Sequence, residues 1–323
     1  MIAIIILPLL LVFTLIDFDG GGDDDSDETD ATAGDLDVAS LLNVIELTEG
    51  DDEYTGNNQL NEVDGLGGDD RLLGLGGTDF LDGGAGNDVV RGADGADVLG
   101  GSAGQDRLIG ADGNDILLGG DGNDSLEGQE GNDVIYGGAG ADTSLGGNGD
   151  DFLYSFQSDG IDPAAVNLRA PALNVEHFNA FDAVAFARPE LTAQEIETIL
   201  SAQGFGEEDL PVSDADGQKD ILNGGRGTDL LFLGAGDDST GGANADSFIV
   251  TTGNSGESAA NVLDFNSEED VIIVNHLASS VPVITVLDVA GDAHVLADGS
   301  LLAVVANAAE NVSVSDVRLV QST

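Results

Sequence analysis

Apolar residues recur at every ninth position between residues 65 and 154, and the positions between them are dominated by Gly and Asp. The repeating unit is GGxGxDxUx, where U is apolar, and ten copies follow one another without a gap. The first and fourth positions are always Gly, the sixth is always Asp, and the eighth is apolar in every copy except at Ser144. A fixed short period is typical of architectures in which successive units stack.

Each nonapeptide predicts a loop followed by a short strand. Gly and Asp at positions one to six favour turns and positive φ, which leaves the last three residues to form the strand. Two loop–strand units then close a flattened coil of about 18 residues, with strands stacked in two parallel sheets. We therefore predict an all-β fold, a right-handed parallel β-roll. Its thin core is a seam of eighth-position side chains, namely Leu72, Leu81, Val90, Leu99, Leu108, Leu117, Leu126, Ile135 and Leu153.

The charge balance restricts the partners of the chain. There are 62 acidic residues against 8 basic ones, a formal net charge of −54, so the chain would repel nucleic acids and anionic lipids and attract cations. It has no Cys, which excludes disulfides and thiolate metal sites. With so thin a seam, apolar burial alone is not expected to hold the array together.

Loops 18 residues apart share one edge of the predicted coil, so the sixth-position aspartates form two ladders. Stacked carboxylates about 4.8 Å apart repel one another unless a cation lies between them. Carboxylate and carbonyl oxygens suit Ca²⁺, which accepts six to eight flexible oxygen ligands, better than Mg²⁺. The register predicts about eight calcium sites between loops in 65–154, with room for more in 215–249. The candidate ligands are Asp70, Asp88, Asp106, Asp124 and Asp142 on one edge, and Asp79, Asp97, Asp115, Asp133 and Asp151 on the other.

With these motifs, the sequence resembles the RTX (repeats-in-toxin, haemolysin-type) family of calcium-binding proteins. The resemblance is close over 65–154 and looser over 215–273, where GGANADSF and NVLDFN precede an acidic segment. It implies that the sixth-position Asp and loop carbonyls bind calcium. It also implies a bacterial protein that is extracellular or displayed on the cell surface, exported by type I secretion machinery and folded on meeting extracellular calcium.

The regions around the main array predict an ordered set of segments. The second repeat block places Asp220, Asp229 and Asp238 at the sixth position, so Asp229 and Asp238 are further candidate calcium ligands, and Asp246 follows one residue out of frame. In sequence order the segments are a hydrophobic stretch at 1–16, an acidic disordered tether at 17–37, degenerate cap repeats at 38–64 with Asp52 and Asn61 at the sixth position, the β-roll at 65–154, a non-repeat excursion at 155–214 with one helix at about 193–203, the second block at 215–249, and an antiparallel β cap at 250–323.

Segment 1–16 leaves alternatives open: it is short for a bilayer span and lacks a basic flank, so a membrane anchor competes with a cleaved or non-membrane segment. None of the three histidines lies in an HExxH motif, and no GxSxG motif occurs. We therefore expect an exported or surface-displayed structural or adhesive protein without catalysis of its own. The alternative is a secreted RTX enzyme, a hydrolase, with its site in 155–214 or in the C-terminal cap.

Overall fold

The computed structural model describes most of the repeat region and the C-terminal cap. The described ranges are 44–155, 218–252, 259–276, 281–308 and 311–321. The predicted hydrophobic stretch, the acidic tether and the predicted helix at 193–203 lie outside these ranges. Within them, no helix is long and apolar enough to cross a membrane.

Two long sheets make up the described part of the fold, and consecutive strands up to residue 289 alternate between them. The first, called here the odd sheet, contains eleven strands whose neighbours are all parallel. They are β1 (Ile45–Glu46), β3 (Glu62–Asp64), β5 (Phe80–Asp82), β7 (Val98–Ala103), β9 (Ile116–Asp121), β11 (Val134–Ala139), β13 (Phe152–Tyr154), β15 (Leu230–Leu233), β17 (Ser247–Thr252), β19 (Val271–His276) and β23 (Val317–Gln321).

The second, called the even sheet, contains twelve strands within the same ranges. In sheet order they are β2 (Glu53–Asn57), β4 (Arg71–Gly76), β6 (Val89–Asp94), β8 (Arg107–Asp112), β10 (Ser125–Glu130), β12 (Thr143–Asn148), β14 (Ile221–Arg226), β16 (Asp238–Ala243), β18 (Ala260–Val262), β22 (Ser300–Val305), β21 (Asp292–Ala297) and β20 (Ile284–Val289). A 3₁₀ turn at Val314–Asp316 precedes β23.

The parallel β-roll is confirmed. In the even sheet Val90 pairs with Leu108, and Leu108 pairs with Leu126, so neighbours are 18 residues apart. The pairing continues across the long excursion, because β12 is bonded directly to β14 and β13 to β15. The coils on either side of residues 156–217 therefore stack in register as one array.

The seam of eighth-position side chains between the sheets is also confirmed. All nine predicted seam residues belong to one buried apolar cluster, with at most 1 % of each side chain exposed. Towards the C-terminus the same cluster continues through Phe248, Ile272 and Val295. The seam is therefore a single core that runs from the cap repeats to the C-terminal strands.

The predicted three-residue strands are wrong for most coils. A typical strand such as β8 has six residues and covers positions seven to nine of one repeat and one to three of the next. Its second half remains in register, since Ala111 lies opposite Ala93 and Asp112 opposite Asp94. Stacking on both sides supplies backbone partners that offset the low strand preference of Gly, and only positions four to six are left for the turn.

The C-terminal cap is only partly antiparallel. Antiparallel pairing joins β20 to β21 and β21 to β22. By contrast, β22 is parallel to β18, and β17, β19 and β23 extend the parallel odd sheet. The hairpin therefore closes the even sheet, while the odd sheet keeps the parallel arrangement of the repeats to its end.

Candidate metal centre

The sixth-position aspartates lie where the coil turns, and each is bonded to the next coil. The amide of Asp88 donates to Asp106 Oδ1 at 2.8 Å, and the amide of Asp106 donates to Asp124 Oδ1 at 2.9 Å. The ladder crosses the excursion, where Asp151 N donates to Asp229 Oδ1 at 2.9 Å. All ten predicted aspartates of 65–154 and Asp229 have this placement, with 0–3 % of each residue exposed.

The second carboxylate oxygen of these aspartates has a different environment. Oδ2 is buried and accepts no hydrogen bond in Asp70, Asp79, Asp88, Asp97, Asp106, Asp115, Asp124, Asp133, Asp151, Asp229 and Asp246. Burying a polar atom without a partner is costly, and such atoms are rare in folded proteins. A regular row of them therefore indicates a missing electropositive partner.

In several repeats the first-position Gly of the next coil brings a backbone carbonyl to the same place. A Cβ on Gly101 would lie 2.5 Å from both Asp106 Oδ2 and the carbonyl oxygen of Gly119, one coil further on. At Gly146 the corresponding oxygens belong to Asp151 and Gly224. Two oxygens from adjacent coils thus converge on a space that only Gly leaves open.

Burial makes these carboxyl groups poor anions in the absence of a cation. It raises the pKa of Asp106, Asp133 and Asp151 to about 8. The amide hydrogen bond lowers the pKa of each group again, while the neighbouring aspartates of the ladder raise it further. A bound cation would remove both the repulsion and the desolvation penalty.

The donor set fits calcium. Within the described ranges no three side chains of His, Cys, Asp or Glu form a metal-binding cluster. Instead, gaps such as the one at Gly101 and Gly119 offer a carboxylate oxygen and a backbone carbonyl oxygen, which are hard ligands of the kind that Ca²⁺ prefers. The chemistry of the gap therefore comes from the repeat unit as a whole.

The comparison with known families agrees with this chemistry. The model of the RTX calcium-binding nonapeptide repeat, four copies long, matches residues 46–81, 64–99, 82–117, 91–126, 118–153 and 214–239. These segments are RTX calcium-binding repeats. RTX repeats bind Ca²⁺, and the buried aspartates of this chain fit the calcium-binding turns. No curated protein matches the chain.

A second ladder in the RTX array was not foreseen from the sequence. The side chains at position five accept hydrogen bonds from the amide at position five of the following coil. Asn87 N donates to Asp69 Oδ1 at 2.9 Å, and Gln105 N donates to Asn87 Oδ1 at 3.0 Å. The frequent Asp and Asn at this position were the available signal. This ladder satisfies turn amides that Gly-rich loops would otherwise leave to solvent.

The second block of the array is in a different register from the one predicted. Asp237 takes the ladder position, because its Oδ1 accepts from Asp220 N at 3.0 Å while its Oδ2 accepts from Gly234 N at 2.7 Å. Asp238, the predicted candidate, is instead paired with Lys219 at 2.7 Å on the outside of the roll. The coil is here 17 residues long, so the predicted register is off by one residue.

Nine residues after Asp237, the same 17-residue spacing brings Asp246 into the ladder. Its Oδ1 accepts from Asp229 N at 3.0 Å, and its Oδ2 lacks a hydrogen-bond partner. Burial raises its pKa to about 7. Asp246 therefore shares the properties of the aspartates in the main array, although Asn244 stands in place of the fourth-position Gly.

Within the described residues, the ladders begin at Asp52 and Asn61 of the N-terminal cap repeats, whose side chains are already satisfied. Asp52 N donates to Asp70 Oδ1, but Asp52 Oδ2 accepts from both the amide and the hydroxyl of Thr48. Asn61 occupies the same place on the other edge and accepts from the hydroxyl of Tyr54. The caps thus stack on the first coil without adding a carboxylate oxygen that needs a cation.

Proposed function

We propose that calcium ions occupy the gaps between coils and are bound by the buried Oδ2 atoms together with carbonyl oxygens of the turns. The proposed ligands are the ten sixth-position aspartates of 65–154, Asp229 and Asp246. The observation that carries this assignment is the row of buried carboxylate oxygens without hydrogen-bond donors, in register across the RTX array. Asp142 is assigned from its place in the ladder, where its Oδ1 accepts from Asp124 N and its amide donates to Asp220 Oδ1. Asp238 is not included, because its carboxylate pairs with Lys219.

Calcium supplies positive charge to an array that cannot neutralise itself. Eight basic residues face 62 acidic ones, and the described ion pairs Arg107–Glu127 and Lys219–Asp238 both lie on the outside of the roll. The binding energy of a site that forms only when coils stack is also folding energy. Stacking of the RTX repeats is therefore coupled to calcium.

A role outside the cell follows from this coupling. We propose an exported or surface-displayed structural or adhesive protein, delivered by type I secretion and folded by extracellular calcium. Extracellular calcium modules bind with dissociation constants of about 10⁻⁴ to 10⁻³ M, so their sites stay empty in the cytosol and fill outside. The large negative charge supports export before folding, since it keeps the calcium-free chain extended and soluble.

Circular dichroism of the full chain during a calcium titration tests the coupling. The β signal is expected to appear with a midpoint between about 10⁻⁴ and 10⁻³ M and to disappear on chelation. Magnesium at the same ionic strength is the control and is expected to be much less effective, because it prefers strict octahedral geometry and retains water. A fully formed β spectrum in chelator would contradict the coupling, and a midpoint below about 10⁻⁶ M would contradict an extracellular trigger.

A further inference from the structure

The last strand of the even sheet and the residues just before it carry a stripe of exposed apolar side chains. From 281 to 289 every second side chain is exposed, and none of these is charged. The exposed fractions are 68 % at Val281, 67 % at Val283, 46 % at Leu287 and 43 % at Val289, and Thr285 between them is exposed as well. Single exposed apolar residues are ordinary, whereas a contiguous row of them marks an interaction site.

The backbone of the same strand is open along one edge. Among the described strands, β20 is the last of the even sheet and pairs only with β21. Val283 N donates to Asp298 Oδ1 at 2.9 Å, and Val283 O accepts from Asp298 N at 3.0 Å. Val283 and every second residue after it therefore direct their backbone groups towards β21, while Ile284, Val286 and Asp288 direct theirs away from it. An open apolar edge is a template for pairing with another strand.

Charge decides where two copies of this chain can meet. The chain has 62 acidic residues against 8 basic ones, so most of its surface repels a second copy. The other end of the even sheet is acidic, because β2 begins at Glu53, directly after Asp51 and Asp52. Between 281 and 289 the only charged residue is Asp288, whose Oδ1 accepts from an amide of its own turn at 3.2 Å. The edge at β20 is therefore an approach that repulsion leaves open to a like-charged copy.

We propose that two copies of the chain pair through β20 as antiparallel neighbours related by a two-fold axis. Such an interface is self-complementary, because each copy offers the same open backbone and the same uncharged stripe. Residues directly opposite in an antiparallel pair share a face of the sheet, so the two stripes become one apolar surface. The two even sheets are then joined into a single sheet across the dimer.

The sequence of the strand selects one register for this pairing. Only the register centred on Val286 pairs all three outward-facing residues with one another, with Val286 opposite its own counterpart and Ile284 opposite Asp288. A shift of the centre towards Ile284 brings in Pro282, which has no amide to donate. A shift towards Asp288 brings the two Asp288 carboxylates closer together, and neighbouring like charges destabilise a sheet.

Analytical ultracentrifugation of the full chain with calcium tests the pairing at physiological ionic strength, where salt screens the repulsion between copies. The parent chain is expected to sediment as a dimer. Leu287→Glu should weaken dimerisation at least about tenfold, because it places a carboxylate in the apolar stripe. Leu145→Glu is the matched control and should remain dimeric, since Leu145 is 37 % exposed on β12, in the middle of the even sheet. A monomeric parent chain, larger open assemblies, or a dimer that Leu287→Glu leaves intact would overturn the proposal.

Single thiols test the register, because the chain has no Cys. In the proposed dimer the two copies of residue 286 lie opposite each other with Cα atoms about 5.5 Å apart, a distance that a disulfide spans. Residue 289 lies opposite residue 283 of the second copy, so its own counterpart is out of reach. Val286→Cys is therefore expected to form a covalent dimer under mild oxidation, and Val289→Cys, the control on the same strand, is not.

The outcome of the crosslinking is decisive only for a folded roll, which the circular dichroism spectrum of each variant reports. A folded dimer in which Val286→Cys crosslinks no faster than Val289→Cys would overturn the proposal.

Discussion

Replacing Asp115 by Asn removes one proposed ligand while preserving the shape of the ladder. Asp115 Oδ1 accepts from Asp97 N at 2.8 Å, and Asp115 N donates to Asp133 Oδ1 at 2.8 Å. An Asn side chain keeps the acceptor and the backbone donor, and it replaces the buried Oδ2 by an amide group. The charge is the main property that changes.

The expected size of the effect depends on calcium. Without the metal, burial raises the pKa of Asp115 to about 7, so a neutral side chain is tolerated and stability should change little. With free calcium at a hundred times the dissociation constant, each site stabilises the fold by about 2.7 kcal/mol. Asp115 borders two gaps, so the variant should lose about 3 to 5 kcal/mol of calcium-dependent stability.

Urea unfolding at calcium a hundred times the dissociation constant and at a tenfold lower calcium concentration separates these two contributions. Asp112→Asn is the matched control, because Asp112 lies in the same repeat, carries the same charge and is exposed. The control is expected to remain within about 0.5 kcal/mol of the parent chain in both conditions. Equal losses for both variants, or the same loss from Asp115→Asn at both calcium concentrations, would refute the ligand assignment.

Three further predictions concern backbone, register and pH. Gly104→Ala should destabilise the roll by about 1 to 3 kcal/mol or more, because φ is +143° and the new Cβ would overlap the carbonyl of Gly86. Gly76→Ala is the control, since a Cβ there would lie 3.4 Å from its nearest neighbour, the carbonyl oxygen of Asp94, and thermal melts should show no such loss. Asp237→Asn should lower the free energy of unfolding by about 1 to 3 kcal/mol, because it leaves a buried backbone amide without its acceptor. Asp238→Asn removes only the outer ion pair with Lys219 and should cost less than about 1 kcal/mol. Equal losses for the two variants in urea unfolding would contradict the register. The highest folded-state pKa values lie near 8, above about 3.9 for unfolded Asp, so ionisation destabilises the calcium-free roll as pH rises. In chelator, the residual β signal in circular dichroism should therefore be smaller at pH 8.5 than at pH 6. Exposed carboxylates are ionised at both pH values, so a larger β signal at pH 8.5 would contradict these pKa values.

The period of the sequence was enough to predict the architecture. Invariant Gly and Asp with one apolar residue in nine led to the 18-residue coil, to the seam through Leu99 and Leu117, and to the two aspartate ladders. These features depend on residues that recur in every coil, so one repeat describes the whole array. The coil length, the seam and the placement of the aspartates in 65–154 could therefore be derived without coordinates.

Features that depend on contacts between coils could not be derived in this way. Strand length was underestimated, because the preferences of Gly apply to one chain segment and not to a segment bonded on both sides. The register at Asp237 depends on a coil shortened to 17 residues, which a strict period of nine conceals. The burial of Tyr136 and Tyr154, whose side chains point away from the seam, follows from no repeat position.

Counting the calcium ions bound to the full chain tests the central claim most directly. Eight amide-to-carboxylate links join the ladder aspartates within 65–154, and each marks one proposed gap for an ion. Equilibrium dialysis at millimolar calcium, with the bound metal measured by mass spectrometry, is expected to give about eight ions or more per chain. One or two ions per folded chain would contradict the account, because the buried carboxylates would then be stabilised by something other than calcium.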